Sequence, residues 1–565
     1  MLFSITAGLN ITSYASVETG YCGENVTYSL DTATGTLTIS GTGKMYDYSG
    51  YGNSSPFGGN DEITKINIMN GVTSVGAWAF ENCSRLNTVI IPEGVTILNK
   101  YAFYYCTGLT SVTIPNSVNT IDYGAFAYCS NLKTLKMPCS LSSIKTGENF
   151  YSSELGSFEY ANVENLILSK GTGIMTVTAS KIGLVNTLKQ VKLEEGINKM
   201  SDSAFMYCSN LTSVTLPKTV TAITYEAFSC CSKLSSISIP SGVKSIGEYA
   251  FEYNGLKSIV LPDSVKTIGK EAFTGCSYLT SVNLGNGVNV IGESAFRGND
   301  NLKTIALSKS LKSIGSSAFE SCDSLLAVTI PNSVTNIGDN AFKDCSNLKK
   351  LVLGKRIKTI GAYAFYRCES LKSVSLPNSV ETVGKSAFEY CTGLKTIIIG
   401  SSIKNIDPYA FYVGNMASPT ITFNGDVNTW KKRKLGLMVM DSYGMDYSAY
   451  KIRFKKGPVP KLKGINHGFK ISVPVYLGWN TQDDGIVVQY STSKKFKKGK
   501  KTKQFYRVYV KDYFYDNGNY STFVDWSDYL PSKKTYYVRV KTYRVLKKNK
   551  TTYSKWSKPK KVKTK

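Results

Sequence analysis

Histidine is almost absent from this chain of 565 residues, which contains only His467. A hydrolase that pairs a Ser or Cys nucleophile with His would have to use that residue. It stands between Asn466 and Gly468, in a sequence typical of an exposed turn. The chain also has no Cys-x-x-Cys pair and no Gly-rich phosphate-binding motif, so zinc and nucleotide sites are not expected. The sequence therefore predicts no enzyme activity, no catalytic residue, no metal and no cofactor.

Long hydrophobic runs are missing as well. No stretch approaches the ~20 apolar residues of a membrane-spanning helix, so no membrane insertion is expected. Residues 1–16 are mildly apolar but lack a basic region, and we interpret them as the remnant of a signal peptide.

The chain does contain one dipeptide, Ala-Phe, that recurs in register, mostly at steps of 23 residues. The thirteen phenylalanines are Phe80, Phe103, Phe126, Phe205, Phe228, Phe251, Phe273, Phe296, Phe319, Phe342, Phe365, Phe388 and Phe411. A period in the twenties indicates a repeat solenoid, in which no coil buries its apolar side without its neighbours. Such a fold predicts a binding surface rather than a catalytic pocket.

A second motif shares the period, as in residues 109–115, which read LTSVTIP. Its alternating β-branched residues predict a short parallel strand, which ends at Pro115 because proline has no N–H to donate. A second apolar stretch follows at Val118 and Ile121, and Ala125-Phe126 then fits a 3₁₀ or single helical turn. About sixteen coils of this leucine-rich-repeat type are predicted, with the Leu, Ile/Val, Ala and Phe positions facing inward.

Coil length departs from 23 residues in two places. Three coils between Leu132 and Leu211 hold ten additional residues, so we predict let-out loops within 139–187 in an intact register. The step from Leu234 to Leu256 is one residue short. The longer segment, residues 145–159, is a candidate site because loops that interrupt a regular scaffold often carry function. A tolerated insertion is the equally weighted alternative.

Ten of the thirteen cysteines occupy one repeat position, three residues after Phe, where Asn254 and Asn299 replace them. They are Cys83, Cys106, Cys129, Cys208, Cys231, Cys276, Cys322, Cys345, Cys368 and Cys391. One position repeated along the stack predicts an inward row of small side chains, which free cysteine fills well. Side chains that point in parallel from neighbouring coils have poor geometry for a disulfide bond, so we predict reduced thiols rather than disulfides.

These repeats closely resemble the BspA-like, or Treponema-type, leucine-rich repeats of bacterial surface proteins. The resemblance implies a solenoid over 61–424, an N-terminal β cap over 17–60, and a C-terminal cap and linker over 425–456. Members of the family are secreted or displayed at the cell surface, and several act as adhesins. The resemblance therefore implies a secreted or cell-surface protein that binds an unidentified protein or glycan of a host matrix or another bacterial surface.

Acidic residues are scarce in the last 115 residues. That segment holds 30 of the 67 Lys and Arg but only 6 of the 40 Asp and Glu, so +24 of the net charge of +27 lies there. The change in composition marks a domain boundary, and short alternating strands beyond it predict an all-β sandwich over 457–565. Residues 530–536, LPSKKTY, resemble the tyrosine corner of a fibronectin type III domain, with Tyr536 as the corner residue. The segment 513–525 departs from that family as an insertion.

The basic module carries lysine runs that form the candidate polyanion site. The lysines are Lys494, Lys495, Lys497, Lys498, Lys500, Lys501, Lys547, Lys548 and Lys550. Such a field attracts polyanions, and we expect an anionic cell-wall polymer as the partner. Nucleic acid is the disfavoured alternative because no nucleic-acid-binding signature is present. A solvated surface that only maintains solubility is the simpler interpretation.

Tyrosines cluster around the Ala-Phe motif and, with the longer loop, give the candidate ligand-binding residues. These are Phe150, Tyr151, Tyr160, Tyr101, Tyr104, Tyr105, Tyr249, Tyr363 and Tyr366. The prediction is a non-enzymatic, adhesin-like surface protein. The alternatives are a structural surface-layer component and an accessory protein of a wall- or glycan-processing enzyme system.

Overall fold

The computed structural model describes residues 16–49, 54–145, 155–407, 409–413 and 419–426, Arg433, and the backbone of the strands beyond residue 451. The chain divides into two units, Met1–Ser308 and Lys309–Lys565. Every regular element in the described residues is a β-strand.

The strands of the first unit are, in chain order, β1 (Val17–Gly23), β2 (Val26–Asp31), β3 (Thr36–Gly41), β4 (Gly43–Lys44), β5 (Lys65–Ile68), β6 (Val72–Val75), β7 (Thr88–Ile90), β8 (Ile97–Leu98), β9 (Ser111–Thr113), β10 (Thr120–Ile121), β11 (Thr134–Pro138), β12 (Ser143–Ile144), β13 (Asn165–Ser169), β14 (Gln190–Leu193), β15 (Ser213–Thr215), β16 (Ala222–Ile223), β17 (Ser245–Ile246), β18 (Ser258–Val260), β19 (Thr267–Ile268), β20 (Ser281–Asn283), β21 (Val290–Ile291) and β22 (Thr304–Ala306).

The strands of the second unit are β23 (Ser313–Ile314), β24 (Ala327–Thr329), β25 (Asn336–Ile337), β26 (Lys350–Val352), β27 (Thr359–Ile360), β28 (Ser373–Ser375), β29 (Thr382–Val383), β30 (Thr396–Ile399), β31 (Asn405–Ile406), β32 (Thr420–Asp426), β33 (Ile452–Lys456), β34 (Lys461–Ile465), β35 (Gly468–Pro474), β36 (Gly485–Ser491), β37 (Thr502–Tyr509), β38 (Phe514–Asp516), β39 (Asn519–Asp525), β40 (Thr535–Leu546), β41 (Lys550–Tyr553) and β42 (Lys560–Lys563).

Two parallel ladders run along the first unit, as expected for a solenoid. Strands β1, β2 and β3 form an antiparallel meander, and β3 then pairs in parallel with β5. The first ladder continues through β7, β9, β11, β13, β14 and β15, and the second runs through β4, β6, β8, β10 and β12. The second ladder is built from the apolar stretch that includes Ile121. The parallel pairing of β11, β13 and β14 confirms that the register survives the let-out residues.

One predicted strand is absent. Residues 234–240 carry the strand motif but form no strand, although Leu234 and Ile239 are buried as predicted. This coil precedes the turn that is one residue short, where Gly255 stands in place of two residues. A Cβ on Gly255 would lie 2.1 Å from the Ser232 carbonyl oxygen, so the backbones approach too closely for any other residue. The Lys257 N–H still donates to the Ser235 carbonyl oxygen at 3.1 Å, so the shortened turn leaves the alignment of the two coils in place.

Phenylalanine forms the centre of the core in both units. In the first unit two runs of fully buried rings stack at centroid distances of 5.0 to 5.6 Å. In the second unit the spacing is 5.0 to 5.3 Å. Phe158, predicted as part of the candidate loop, belongs to the core instead: it stacks on Phe126 at 5.2 Å with no exposed surface. It lacks the Ala-Phe sequence because Ser157 precedes it.

The Ala-Phe segments are turns, so the prediction of a 3₁₀ or helical turn was wrong. The residues two positions before and after Phe have left-handed backbone conformations, as at Tyr101 and Tyr105, both with φ of 58°. Alternation of this kind breaks a helix. It also directs N–H groups toward the next coil, where Tyr101 donates to the Tyr123 carbonyl oxygen at 2.8 Å and Phe103 donates to that of Ala125 at 2.8 Å. The turns thus add a third line of hydrogen bonds along the stack.

The row of cysteines is buried, and all thirteen cysteines are free, which confirms the predicted thiols. Their role differs from simple filling of the core. The Sγ of Cys106 donates to the Phe80 carbonyl oxygen at 3.1 Å, and that of Cys129 donates to the Phe103 carbonyl oxygen at 3.2 Å. Six further thiols of the row make the same bond, so the thiol commonly supplies a hydrogen bond to the preceding coil.

The last coil of the second unit continues into additional strands. β32 pairs in parallel with β30 and β33, and the Arg433 guanidinium donates to the carbonyl oxygens of Ser401 at 2.7 Å and Ile403 at 2.6 Å. Beyond them, β34, β35, β39 and β38 form one antiparallel sheet. A second contains β37, β36, β40 and β41, with β42 on β40. The segment 513–525, predicted as an insertion, contains the antiparallel hairpin β38–β39.

Candidate functional site

Six aromatic side chains of the first unit form a continuous strip along the Ala-Phe turns. This aromatic strip consists of Trp78, Tyr101, Tyr104, Tyr105, Tyr128 and Tyr160. Ring centroids are 4.2 Å apart for Trp78–Tyr101, 5.2 Å for Tyr101–Tyr104 and 5.7 Å for Tyr104–Tyr128. They are 5.8 Å apart for Tyr105–Tyr128 and 4.6 Å for Tyr128–Tyr160. The structure thus brings four of the predicted ligand-binding residues into one surface.

The repeat geometry explains why these rings meet. Residues at the same turn position lie one coil apart, so side chains at corresponding positions are neighbours along the stack. Tyr105, Tyr128 and Tyr160 all stand two residues after a core phenylalanine. Their left-handed backbone places the N–H of Tyr105 on the Ala127 carbonyl oxygen at 2.9 Å and that of Tyr128 on Glu159 at 2.9 Å. The strip is therefore anchored by backbone pairing on a rigid scaffold.

Exposure differs sharply within the strip. Tyr105 and Tyr160 expose 46% and 60% of their surface, whereas Tyr101 exposes 7%. The Tyr101 ring lies over Gly124, where a Cβ would come within 2.1 Å of the ring. Tyr101 therefore supports its neighbours, and the accessible face is formed by Tyr105, Tyr128 and Tyr160.

Burial affects two titratable groups at the strip. Burial raises the pKa of the Glu81 carboxyl above its ordinary value, which favours its neutral form. The pKa of Tyr104 is also raised, first by desolvation and then by the neighbouring Tyr128. Lys100 stands 5.5 Å from the centroid of the Tyr101 ring. A surface with flat rings and hydroxyl groups suits a ligand that offers apolar area together with hydrogen-bonding groups.

The remaining predicted tyrosines lie apart from the strip in sequence. Tyr249 contacts only one ring among the described residues, that of Tyr225, at 5.8 Å. In the second unit Tyr363 contacts Tyr366 at 5.6 Å, and Tyr366 contacts Tyr390 at 5.5 Å. This second cluster is shorter and has Lys385 5.7 Å from the Tyr363 ring centroid.

Several predicted residues lie outside the described part of the chain. They are Phe150 and Tyr151 of the longer loop, and Lys494, Lys495, Lys497, Lys498, Lys500, Lys501, Lys547 and Lys548. For Lys550 the structure describes only the backbone, at the start of β41. Trp78 was missed by sequence reasoning, although it occupies the same repeat position as Tyr101 and could have been found from that register.

Among the described residues, no three His, Cys, Asp or Glu side chains are grouped to hold a metal ion. Within the same residues, no helix has the length and apolar character needed to cross a membrane. Outward strand positions carry hydroxyl groups, as at Ser111 and Ser213, both exposed.

Solved structures of bacterial leucine-rich-repeat proteins resemble this chain. A protein from Bacteroides ovatus is 22% identical, with 76% of this chain and 98% of that one covered and a TM-score of 0.38. One from Eubacterium ventriosum is 23% identical, covering 67% and 95%, with a TM-score of 0.32. A leucine-rich cell surface protein from Faecalibacterium prausnitzii is 21% identical, covering 74% and 98%, with a TM-score of 0.27. Among curated proteins, none matches the chain.

Parallel ladders, stacked phenylalanines and an exposed turn surface define a leucine-rich-repeat protein of the interaction type. The model of the BspA-type leucine-rich repeat region matches residues 53–170, 183–303, 244–360 and 289–417. These matches span more than half of the sequence, so the chain belongs to the BspA-type leucine-rich-repeat family. This confirms the resemblance predicted for the repeats.

Proposed function

We propose that this protein is a non-enzymatic, exported bacterial cell-surface protein that acts in the manner of an adhesin. Its solenoid binds a protein or glycan ligand, and the aromatic strip is the binding surface. The observation that carries the proposal is the continuous ring contact from Trp78 to Tyr160 on a backbone held by pairing between coils.

Two physical arguments support this assignment. Tyrosine combines a large apolar area with a hydroxyl group, which is why it is enriched at interfaces and at their energetic centres. A strip whose backbone is already fixed also loses little conformational entropy on binding. Tyr105 and Tyr160 are the exposed members, so they are the residues that a ligand reaches first.

The test compares the full-length chain with the double variant Tyr105→Ala/Tyr160→Ala in a binding screen against immobilised matrix proteins and glycans. A salt concentration near 0.5 M suppresses the contribution of the basic module, because the Debye length falls to a few ångströms, about 4 Å. We expect the double variant to lose at least about tenfold in affinity. Tyr278→Ala is the matched control, since Tyr278 is 61% exposed and outside the strip. Equal loss in that control would refute the strip as the binding site.

We further propose that the basic module, residues 457–565, tethers the solenoid to an anionic cell-wall polymer. The charge of +24 in the last 115 residues supports this role. In this arrangement the module has a fibronectin type III-like sandwich fold, with 17–60 and 425–456 as caps of the solenoid. Arg433 supports a capping role for the second segment, because it donates to two carbonyl oxygens of the last coil.

The tether is tested by sedimentation of the full chain with cell-wall preparations at increasing salt. We expect binding at low ionic strength and its loss as salt rises, because the attraction is electrostatic. Replacement of Lys494, Lys495, Lys497 and Lys498 by Gln should weaken it, whereas Tyr105→Ala/Tyr160→Ala should not. Binding that is insensitive to salt would exclude the tether.

A further inference from the structure

The first unit contains one coil that departs from the repeat on the same edge as the aromatic strip. Residues 170–187 have no Ala-Phe motif, and Ala179 replaces the phenylalanine: its N–H donates to the Ala204 carbonyl oxygen at 2.8 Å. The chain then folds back, and the Leu184 N–H donates to the Ala179 carbonyl oxygen at 2.9 Å. The buried side chains of Ile182 and Leu184 fill the core instead.

This change removes the bulky edge residues that regular coils carry. Ser180 and Lys181 follow Ala179, whereas Tyr104 and Tyr105 follow Phe103 in a regular coil. Beside the small residue lies an open depression of about 670 Å³. Its lining includes Thr178, Ser180, Lys181, Asp202, Met206 and Tyr207. The volume falls within the range of about 300–1,000 Å³ that is usual for small-molecule sites.

Tyr207 is the aromatic wall of this depression. It occupies the same turn position as Tyr105, Tyr128 and Tyr160, but its neighbours at that position are Lys181 and Cys230. Its ring therefore has no aromatic partner in the part of the chain that the structure describes, and it is 59% exposed. Its backbone is fixed, with φ of 63° and the N–H donating to the Ser229 carbonyl oxygen at 2.9 Å. A rigid and open ring face is thus presented to the depression.

Polar groups of both kinds stand around the ring. The exposed Asp202 carboxylate makes no hydrogen bond or ion pair within the described residues, so it can accept two hydrogen bonds. The Lys181 ammonium uses one of its three hydrogens on the Thr176 carbonyl oxygen at 3.3 Å, which leaves two to donate. Ser180 adds an exposed hydroxyl. Acceptors and donors therefore lie next to a flat apolar face.

We propose that this depression is a carbohydrate-binding subsite that takes one uncharged pyranose ring of a glycan. The apolar face of the sugar stacks on Tyr207, and neighbouring hydroxyls, each both donor and acceptor, bond to Asp202 and Lys181. An anionic ligand is disfavoured by the Asp202 carboxylate, and a cationic one by Lys181. The subsite begins one coil beyond the aromatic strip, includes none of its six residues, and names a ligand class that the proposed function leaves open.

The experiment titrates the full-length chain with neutral hexasaccharides of glucose (β-1,3 and β-1,4), mannose and N-acetylglucosamine, followed by calorimetry and by saturation transfer from protein to sugar. Neutral probes exclude the basic module from the signal. We expect saturable binding of at least one sugar, weakened about tenfold by Tyr207→Ala and retained by Tyr207→Phe, because stacking requires the ring only. Asp202→Asn should weaken it several-fold. If Tyr207→Ala fails to fold, Asp202→Asn carries the test, because Asp202 is an exposed residue.

The matched control is Tyr253→Ala, at the same turn position and 57% exposed but with one ring face on Gly275. It should leave sugar binding unchanged, as should Tyr105→Ala/Tyr160→Ala in the aromatic strip. The comparison with Tyr105→Ala/Tyr160→Ala distinguishes this subsite from the proposed function, because either proposal can be refuted while the other stands. Absence of saturable binding to all four sugars, or equal affinity of wild type and Tyr207→Ala, would overturn the proposal.

Discussion

The amide nitrogen of Asn254 donates to the Phe228 carbonyl oxygen at 2.8 Å. The Sγ of Cys231 makes the same bond one coil earlier, to the Phe205 carbonyl oxygen at 3.1 Å. Asn can therefore replace Cys at this repeat position because both side chains are small hydrogen-bond donors. The position requires a side chain that donates a hydrogen bond to the preceding coil. Since the carbonyl is buried, its loss of a partner would cost about 1–3 kcal/mol.

Replacement of Asn254 by Cys is expected to increase the free energy of unfolding. The Oδ1 of Asn254 is buried and has no hydrogen-bond partner. Asn254→Cys removes that oxygen and keeps a donor, so we expect the free energy of unfolding to rise by up to about 1 kcal/mol. Asn299→Cys is the comparison, because Asn299 also donates to Phe296, at 2.8 Å, and would lose this second bond. Urea unfolding should rank Asn254→Cys above Asn299→Cys, and the reverse order would contradict the explanation.

The phenylalanine stack predicts a large effect of truncation. Phe273 is fully buried between Phe251 at 5.2 Å and Phe296 at 5.1 Å. Phe273→Ala should cost about 3–5 kcal/mol, because the neighbouring rings are held by their own coils and cannot fill the cavity. Thermal denaturation measures the change. Tyr278→Ala, on the surface, should remain within about 0.5 kcal/mol, and an equal midpoint for the two variants would argue against a tightly packed core.

Cysteine burial predicts how stability depends on pH. Desolvation raises the pKa of Cys129, Cys208 and Cys276 from 9.0 to about 12. The unfolded chain therefore loses these protons at lower pH than the folded chain. The contribution of these thiols to stability should be constant below about pH 8 and fall between pH 9 and 12, by up to ~1.4 kcal/mol per pH unit for each thiol. Urea unfolding across this range tests the sign, and stability that rises with pH would exclude the explanation.

The same burial predicts selective reactivity. Cys230 is the one cysteine that is not fully buried. Native protein treated with iodoacetamide at pH 8 should be alkylated first at Cys230, with the other twelve thiols protected until unfolding. Peptide mass spectrometry identifies the modified residue. Early alkylation of Cys129 or Cys276 would contradict the buried row.

Substitutions at two glycines compare the cost of a steric clash with the cost of backbone strain. Gly255→Ala would place a Cβ 2.1 Å from the Ser232 carbonyl oxygen, so we expect a loss of more than about 2 kcal/mol. Gly298 has φ of +67°, but no atom lies nearer than 4.0 Å to its Cβ position. Gly298→Ala should therefore cost only about 1 kcal/mol of conformational strain. Chemical unfolding compares the two, and a larger loss for Gly298→Ala would contradict the argument.

Sequence reasoning recovered the repeat but not the conformation of its turns. The residues flanking Phe103 are tyrosines, whose side chains give no sign of a left-handed backbone. They adopt it because their N–H groups pair with the next coil, a contact between residues 22 positions apart. Local propensity contains no information about that pairing, and the predicted helical turn failed for this reason.

The repeat register indicated which candidate residues share a turn position, but not which of them are buried in the fold. Tyr101, Tyr104 and Tyr105 were singled out because tyrosine repeats at turn positions, and Tyr160 because it follows the longer loop; in the structure the four lie on one surface. Phe158 was misassigned because the residue before it is Ser157 rather than alanine, and only stacking on Phe126 reveals its place. Tyr207 and Asp202 gave no separate signal, since their significance arises from the small residues of the neighbouring coil.

The sequence by itself determined the period, the inward positions, the free thiols and the concentration of positive charge, because each is a property of composition or of regular spacing. The tertiary structure alone decided which tyrosines are exposed, which cysteine is accessible, and where the stack opens into a depression. These features depend on what the adjacent coil places beside a residue. In a solenoid that neighbour is about 23 positions away, so only the folded chain brings the two together.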